Sequence, residues 1–241
     1  MAVICPKFNL LFICIPKTGS TAVSRWLIRH FGGCWLPPDH LWDETGNTIR
    51  VSFKHSTVSE LLESGILSPE RLRELTVVAV MRNPFDRVLS DFLSVKSLYH
   101  KHKHEIEAYE AGGTFDRNKK GPMRWMVSRL DRVRDAGEME FDGYVRKYFA
   151  NKKFSTANNF TAGADAVFLR YENLQADTKV FFGPLAGCDL PALEWVNKTA
   201  AKDRPYWEYY TPACQKMMEE AFQNDLERFH YKFGPPQPCS L

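Results

Sequence analysis

The spacing of apolar residues changes period several times along the chain, and each change marks a predicted element. Residues 8–15 form a short, nearly continuous apolar run, the pattern of a strand buried on both faces. The apolar residues ahead of them carry no basic segment and no small-residue cleavage site, so they read as part of the first core strand and not as a leader. Over residues 20–31, Ala22, Val23, Trp26, Leu27 and His30 recur at helical spacing until Gly32 and Gly33 stop the pattern. Residues 48–53 alternate as a short strand and run into Lys54, His55, Ser56 and Thr57. Two helical pieces follow, at 58–64 and 69–75. Residues 76–81, TVVAVM, are β-branched, apolar and short, which makes them the clearest strand. A helix over 84–98 has Asn83 as a natural N-cap and Pro84 in its first turn. A buried strand at 166–169 leads into Arg170, Tyr171 and Glu172, then a helix through residue 182. One long helix is expected over 211–229, capped by Thr211.

Strands that alternate with helices predict an α/β fold, a parallel β-sheet flanked by helices on both faces. No internal repeat or long linker divides the 241 residues, so a single domain, 1–241, is expected. Within it, residues 99–165 read as a variable, partly helical insertion. Its first part, 100–121, is polar and charged and carries glycines, as a mobile loop does. Residues 234–241 read as a flexible tail.

Composition narrows the function. With 44% hydrophobic and 25% charged residues, the chain can bury a sizeable core. The formal net charge is only +3, so no nucleic-acid partner is expected and any role for basic residues has to be local. No apolar run approaches the ~18 residues of a membrane span. Cys5, Cys14, Cys34, Cys188, Cys214 and Cys239 lack metal-type spacing and read as reduced thiols of a cytoplasmic protein, with Cys14 a small buried hydrophobe. His100, His102 and His104 alternate as ligands on a strand would, but their neighbours are lysines. A solvated or substrate-facing loop is expected there, and no metal site. Arg117, Lys119, Lys120, Arg124, Arg129, Arg132 and Arg134 make 117–134 locally basic, either to attract an anionic acceptor or as a solvated helix face.

Two junctions carry candidate chemistry. In FICIPKTGSTAVSRWL, residues 12–27, a buried strand gives way to Lys17, Thr18, Gly19, Ser20 and Thr21 just where a helix starts. Free amides of a first helical turn, aligned with the helix dipole, hold a phosphate, and a lysine and hydroxyls add donors. The order is not that of a Walker A loop, because Lys17 precedes Gly19. A plain strand–helix connection with capping hydroxyls is the alternative. In VVAVMRNPFDRVLSDFL, residues 77–93, the plan repeats, with Arg82 at a strand end and Ser90 about two turns into the next helix. Those two could grip a second phosphate, or Arg82 could bridge to Asp86 or Asp91.

Together the two stretches resemble the cofactor-binding motifs of sulfotransferases. IPKTGST is similar to the 5′-phosphosulfate loop of that family, and RNPFDRVLSDF to its 3′-phosphate motif. The likeness leans toward the carbohydrate-type branch of heparan and chondroitin sulfotransferases and their bacterial relatives. FLRYENL, residues 168–174, resembles that branch too, as does NKTAAKDRPYWEYYTPACQKMMEEAFQNDLERFHY, residues 197–231. The resemblance spreads over residues 8–232 and is weakest across 99–165. It implies a P-loop-kinase-like α/β fold. It also implies transfer of a sulfuryl group from 3′-phosphoadenosine 5′-phosphosulfate to a hydroxyl or amine of a glycan or small molecule. The product would be adenosine 3′,5′-bisphosphate, no metal would be needed, and the 99–165 insertion would shape the acceptor site. Golgi members of the branch carry a membrane anchor. This chain shows none, so a free cytoplasmic enzyme is expected, with a domain cut from its anchor as the alternative.

The resemblance assigns roles residue by residue. Lys17 neutralises charge on the leaving oxygen. Thr18, Gly19, Ser20 and Thr21 hold the 5′-phosphate through amides and hydroxyls. Arg82 and Ser90 hold the 3′-phosphate, and Lys198, Lys202 and Arg204 close over it. The catalytic base is read from sheet position. His55 follows a strand, so a parallel sheet brings it to the same carboxyl edge as Lys17 and Arg82. A capping surface histidine is the alternative, and Asp39, His40 and Glu44 are reserve bases. Two other functions compete. One is a P-loop-like nucleotide kinase, which lacks its Walker order here. The other is a non-catalytic module for bisphosphorylated nucleotides, which would need neither His55 nor Lys17.

Overall fold

The structure, a computed structural model, describes residues 2–42, 49–52, 54–113, 129–187, 190–194 and 202–235. It divides into two units, Met1–Asn83 with Phe154–Lys198, and Pro84–Lys153 with Thr199–Leu241. The first unit holds the sheet. Its strands are β1 (Ala2–Cys5), β2 (Leu10–Ile13), β3 (Cys34–Leu36), β6 (Thr76–Met81) and β7 (Ala166–Arg170), in the order β3-β1-β2-β6-β7. β2, β6 and β7 run parallel, with Phe12 opposite Val78 and Val78 opposite Val167. β1 runs antiparallel to both β2 and β3.

The α/β expectation holds, but the sheet is mixed and not purely parallel. The apolar start of the chain is two strands and not one. Pro6 opens a 3₁₀ turn over Pro6–Phe8, and Asn9 adopts a left-handed φ of 46°, so the chain reverses and β2 folds back beside β1. The strand expected at 48–53 also sits elsewhere. Its core, β5 (Ile49–Val51), pairs with β4 (Leu41–Trp42) in a separate two-stranded ribbon.

Helices α1 (Ser20–His30), α2 (Val58–Glu63) and α3 (Pro69–Glu74) fall where periodicity puts them. α2 opens with a capping box: the Glu60 amide donates to Thr57 Oγ1, and the Thr57 amide donates to the Glu60 carboxylate. α8 (Thr156–Thr161) and α9 (Leu174–Ala186) complete the unit. Val23, Trp26 and Leu27 of α1 join Leu174 and Phe182 of α9 over Phe12, Val78, Val80 and Leu169 of the sheet. Leu11, Ile13, Val77 and Ala79, on the opposite face, are equally buried. Burial on both faces explains why β2 and β6 read as continuous apolar runs and not as alternating ones. The Trp26 indole donates to the Pro191 carbonyl at 2.9 Å, fixing the stretch beyond α9.

The second unit is helical among its described residues. α4 (Pro84–Lys101) and α5 (Lys103–Glu110) occupy the start of the expected 100–121 loop. α6 (Leu130–Glu138) and α7 (Phe141–Phe149) follow. Arg132 ties these helices together, donating to Asp91 of α4 at 2.5 Å and to the Tyr144 hydroxyl of α7 at 2.7 Å. The long helix expected over 211–229 is two helices, α10 (Pro212–Ala221) and α11 (Gln223–Phe229). They break at Phe222, whose ring is fully buried.

Phe12→Ala removes a ring at the centre of the first unit's core, and chemical denaturation should show a loss of about 3–5 kcal/mol. Arg29→Ala removes a 3.3 Å ion pair with Glu194 in which both side chains are mostly exposed. It should change stability by less than about 1 kcal/mol.

Candidate active site

The candidate site starts where β2 ends. Beyond Ile13 the chain leaves the ladder and turns through Pro16 to Gly19 into α1. Lys17 and Gly19 both take left-handed φ values, 66° and 78°. Such alternation can turn backbone amides to one side, the geometry of an anion-binding nest. Helix geometry leaves the amides of Ser20 and Thr21 without intrahelical acceptors. A β-carbon on Gly19 would stand 3.2 Å from the Tyr171 ring and from Leu174, so any other residue there would be strained in φ and crowded. Cys14 is buried, as expected, and its Sγ lies 3.0 Å from Ser24 Oγ, which in turn donates to the Ser20 carbonyl.

The hydroxyls of the loop point differently from the sequence expectation. Thr18 and Ser20 are buried, and both donate to the Ile15 carbonyl at 2.9 Å. Their protons stabilise the turn and are engaged within the protein. Thr21 is half-buried on the first turn of α1.

β6 runs parallel to β2, so Arg82, just past its end, reaches the same edge. Arg82 is buried, donates from Nη1 to the Lys17 carbonyl at 2.8 Å, and lays its guanidinium 4.1 Å from the centroid of Tyr171. One residue on, the Asn83 amide donates to the Glu172 carboxylate at 2.7 Å. Tyr171 and Glu172 lie in the 3₁₀ turn that follows β7, and sequence reasoning gave them no role. Their one signal was position, immediately after the third parallel strand.

His55 reaches this edge by a route the sequence did not suggest. Its strand is not in the main sheet, yet its Nδ1 donates to the Cys14 carbonyl at 2.8 Å. A carbonyl can only accept, so the proton sits on Nδ1 and Nε2 carries the lone pair. Burial lowers the pKa from 6.5 to about 4. The bond to Cys14 opposes that shift, and the nearby Lys54 and Lys17 charges reinforce it. The capping box two residues later and a left-handed φ of 67° hold the ring's backbone in place.

The other candidates lie on other elements. Ser90 lies buried on α4, in the second unit. Lys202 pairs with Asp86 in the first turn of α4. Arg204 stacks 4.5 Å over Tyr209 and lines a cleft of about 550 Å³ in that unit, with Lys96, His100 and Phe141. Lys198 and Glu44 fall outside the described residues, as do Arg117, Lys119, Lys120 and Arg124. Asp39 is exposed and accepts from the His40 amide at 2.7 Å, and the His40 ring stands edge-on to Trp42. His100 is on α4 and His104 on α5, with His102 between them. On helices the HxHxH spacing no longer aligns three rings, and among the described residues no three ligand-type side chains gather around a metal position. Cys5, Cys14, Cys34 and Cys214 are free thiols. Among the described residues no helix is long and apolar enough to cross a membrane.

No curated protein and no solved structure matches the chain. The model of the sulfotransferase family matches residues 1–181, three quarters of the length. That span contains β2 with its Lys17 loop, β6 with Arg82, and β7 with Tyr171 and Glu172. By this match the chain belongs to the sulfotransferase family.

Proposed function

We propose that the protein transfers a sulfuryl group from 3′-phosphoadenosine 5′-phosphosulfate to a hydroxyl or amine of a glycan or small-molecule acceptor, as the carbohydrate-type branch does. The observation that carries the reading is the link between the two anion grips: Arg82 donates to the carbonyl of Lys17 across parallel strands. A donor with phosphate on both sides of one ribose calls for two cationic grips held at a fixed separation. The glycine-constrained loop offers the amides of residues 18–21 for its 5′ end. Arg82 offers a guanidinium for its 3′-phosphate, and Ser90 joins it on the strength of its sequence spacing alone.

The bound donor supplies an activated sulfuryl group on a good leaving group. Lys17 offsets the negative charge that grows on that leaving oxygen. His55 accepts the acceptor's proton on Nε2, while the Cys14 carbonyl holds Nδ1–H and fixes the tautomer. A pKa of about 4 is low for this task, but two of its causes are the Lys17 and Lys54 charges. Burial is the largest cause, and an anion bound beside Lys17 offsets only the smaller contribution of the lysine charges. Positioning and charge compensation are the main sources of rate in this kind of in-line displacement.

Adenosine 3′,5′-bisphosphate should stabilise the protein in a thermal melt, by about 2.7 kcal/mol at 100 times its dissociation constant. EDTA should leave the melt unchanged. A melt that responds to ATP with magnesium but ignores the bisphosphate would overturn the reading.

Arg82→Ala should weaken bisphosphate binding about 10–100-fold, through loss of charge-assisted hydrogen bonds. Because Arg82 also holds the Lys17 carbonyl, binding of plain AMP should weaken too, though by less. Isothermal titration with both nucleotides checks this.

His55→Ala should lose about 10²–10⁴-fold in single-turnover transfer while bisphosphate affinity stays near wild type. Near-normal turnover would move the base to Asp39, His40 or Glu44. The ring also leaves a mark on stability. Its folded pKa lies below its unfolded value, so the unfolded chain takes up the proton first. The neutral ring's contribution is complete above pH 6.5 and is lost as pH falls toward 4. His55→Gln should flatten the stability profile in that window, measured by denaturant titration at each pH.

A further inference from the structure

We infer that Tyr171 is the positioning residue that aims Arg82 at the 3′-phosphate; the inference rests on the proposed nucleotide reading. The Arg82 guanidinium lies 4.1 Å from the Tyr171 ring centroid, stacking distance for a planar cation on an aromatic face. One edge of the same ring closes on the loop: the Cδ2 and Cε2 atoms stand 3.2 Å from where a β-carbon of Gly19 would be. Tyr171 therefore touches both grips at once. Leu174, one turn further on, shares the contact with Gly19, so the packing against the loop has two contributors whereas the stacked face is the tyrosine's.

Three strand ends meet in this arrangement. Lys17 and Gly19 follow β2, Arg82 follows β6, and Tyr171 follows β7. The turn is itself fastened from the β6 side, where the Asn83 amide donates to the Glu172 carboxylate. A guanidinium rotates freely about its stem in water. Here the Lys17 carbonyl takes one Nη1 proton and the Tyr171 face restricts the plane, so the guanidinium's fan of donors is fixed in direction. Fixing the fan before the ligand arrives favours the ligand whose phosphate meets it. Tyr171 is thus assigned to discrimination between a 3′-phosphorylated nucleotide and one without that phosphate.

The test compares Tyr171→Leu with Tyr171→Phe. Leucine keeps apolar packing against Gly19 but has no aromatic face, whereas phenylalanine keeps the face and drops the hydroxyl. Dissociation constants for adenosine 3′,5′-bisphosphate and for AMP are measured by titration calorimetry, alongside the ligand-free melting temperature. The ratio of the two constants should fall about tenfold in Tyr171→Leu and stay at the wild-type value in Tyr171→Phe. A purely structural role would lower the melting temperature or weaken both nucleotides alike, with no change in the ratio, and would overturn the inference. A ratio that falls equally in both variants would show the hydroxyl to be what matters and would overturn it as well. Wild-type protein that binds the two nucleotides equally would overturn the proposed function itself, and Tyr171 with it.

Discussion

Past Ile13 the backbone leaves the sheet with carbonyls that no neighbouring strand satisfies, and the candidate site follows from how they are satisfied. An unpaired buried carbonyl costs about as much as a lost hydrogen bond. The Cys14 carbonyl takes the His55 imidazole, the Ile15 carbonyl takes two hydroxyls, and the Lys17 carbonyl takes the Arg82 guanidinium. Each of these bonds brings a side chain of distinct chemistry to one strand end. Structural need and chemical placement are here the same set of contacts.

The same bonds account for the backbone strain. Lys17 and His55 sit in left-handed conformations that cost non-glycine residues about 1–3 kcal/mol when the surroundings impose them. Both are held by a hydrogen bond to a distant part of the chain, Lys17 through its own carbonyl to Arg82 and His55 through its ring to Cys14. The strain sits beside a crowded glycine in the same left-handed region, and away from the core, whose aromatic cluster of Trp26, Phe31 and Phe182 packs at ring separations of 5.2–5.5 Å.

Much of this was legible in the residues alone. α1, α2 and α3, each to within one residue, and all of β6 followed from the local pattern, because these elements obey local rules. What failed had non-local causes. The reversal at Asn9 and the pairing of Ile49–Val51 with Leu41–Trp42 depend on which strands find each other, so a parallel sheet was expected where a mixed one forms. His55 was expected at the strand-end edge through a sheet position it does not have; a single hydrogen bond brings it there instead. The direction of the Thr18 and Ser20 hydroxyls is set by one carbonyl and leaves no trace in spacing. Tyr171 and Glu172 were quoted as part of a resemblance, but their partners lie some 90 residues earlier in the chain, out of reach of any local pattern.

The interruption of the first unit by residues 84–153 has a consequence for how the chain is made. β6 is complete at Met81, but its parallel neighbour β7 ends only at Arg170. At about 5–20 residues per second, a ribosome takes roughly 5–20 s to bridge that gap. Throughout that time the outer edge of β6, TVVAVM, exposes unpaired amides and carbonyls on an apolar strand, a template for pairing with another nascent chain. The helical segment made in between belongs to the second unit, which is completed only by residues 199–241, so it does nothing to shorten the wait. Expression conditions that slow elongation lengthen that exposure in proportion.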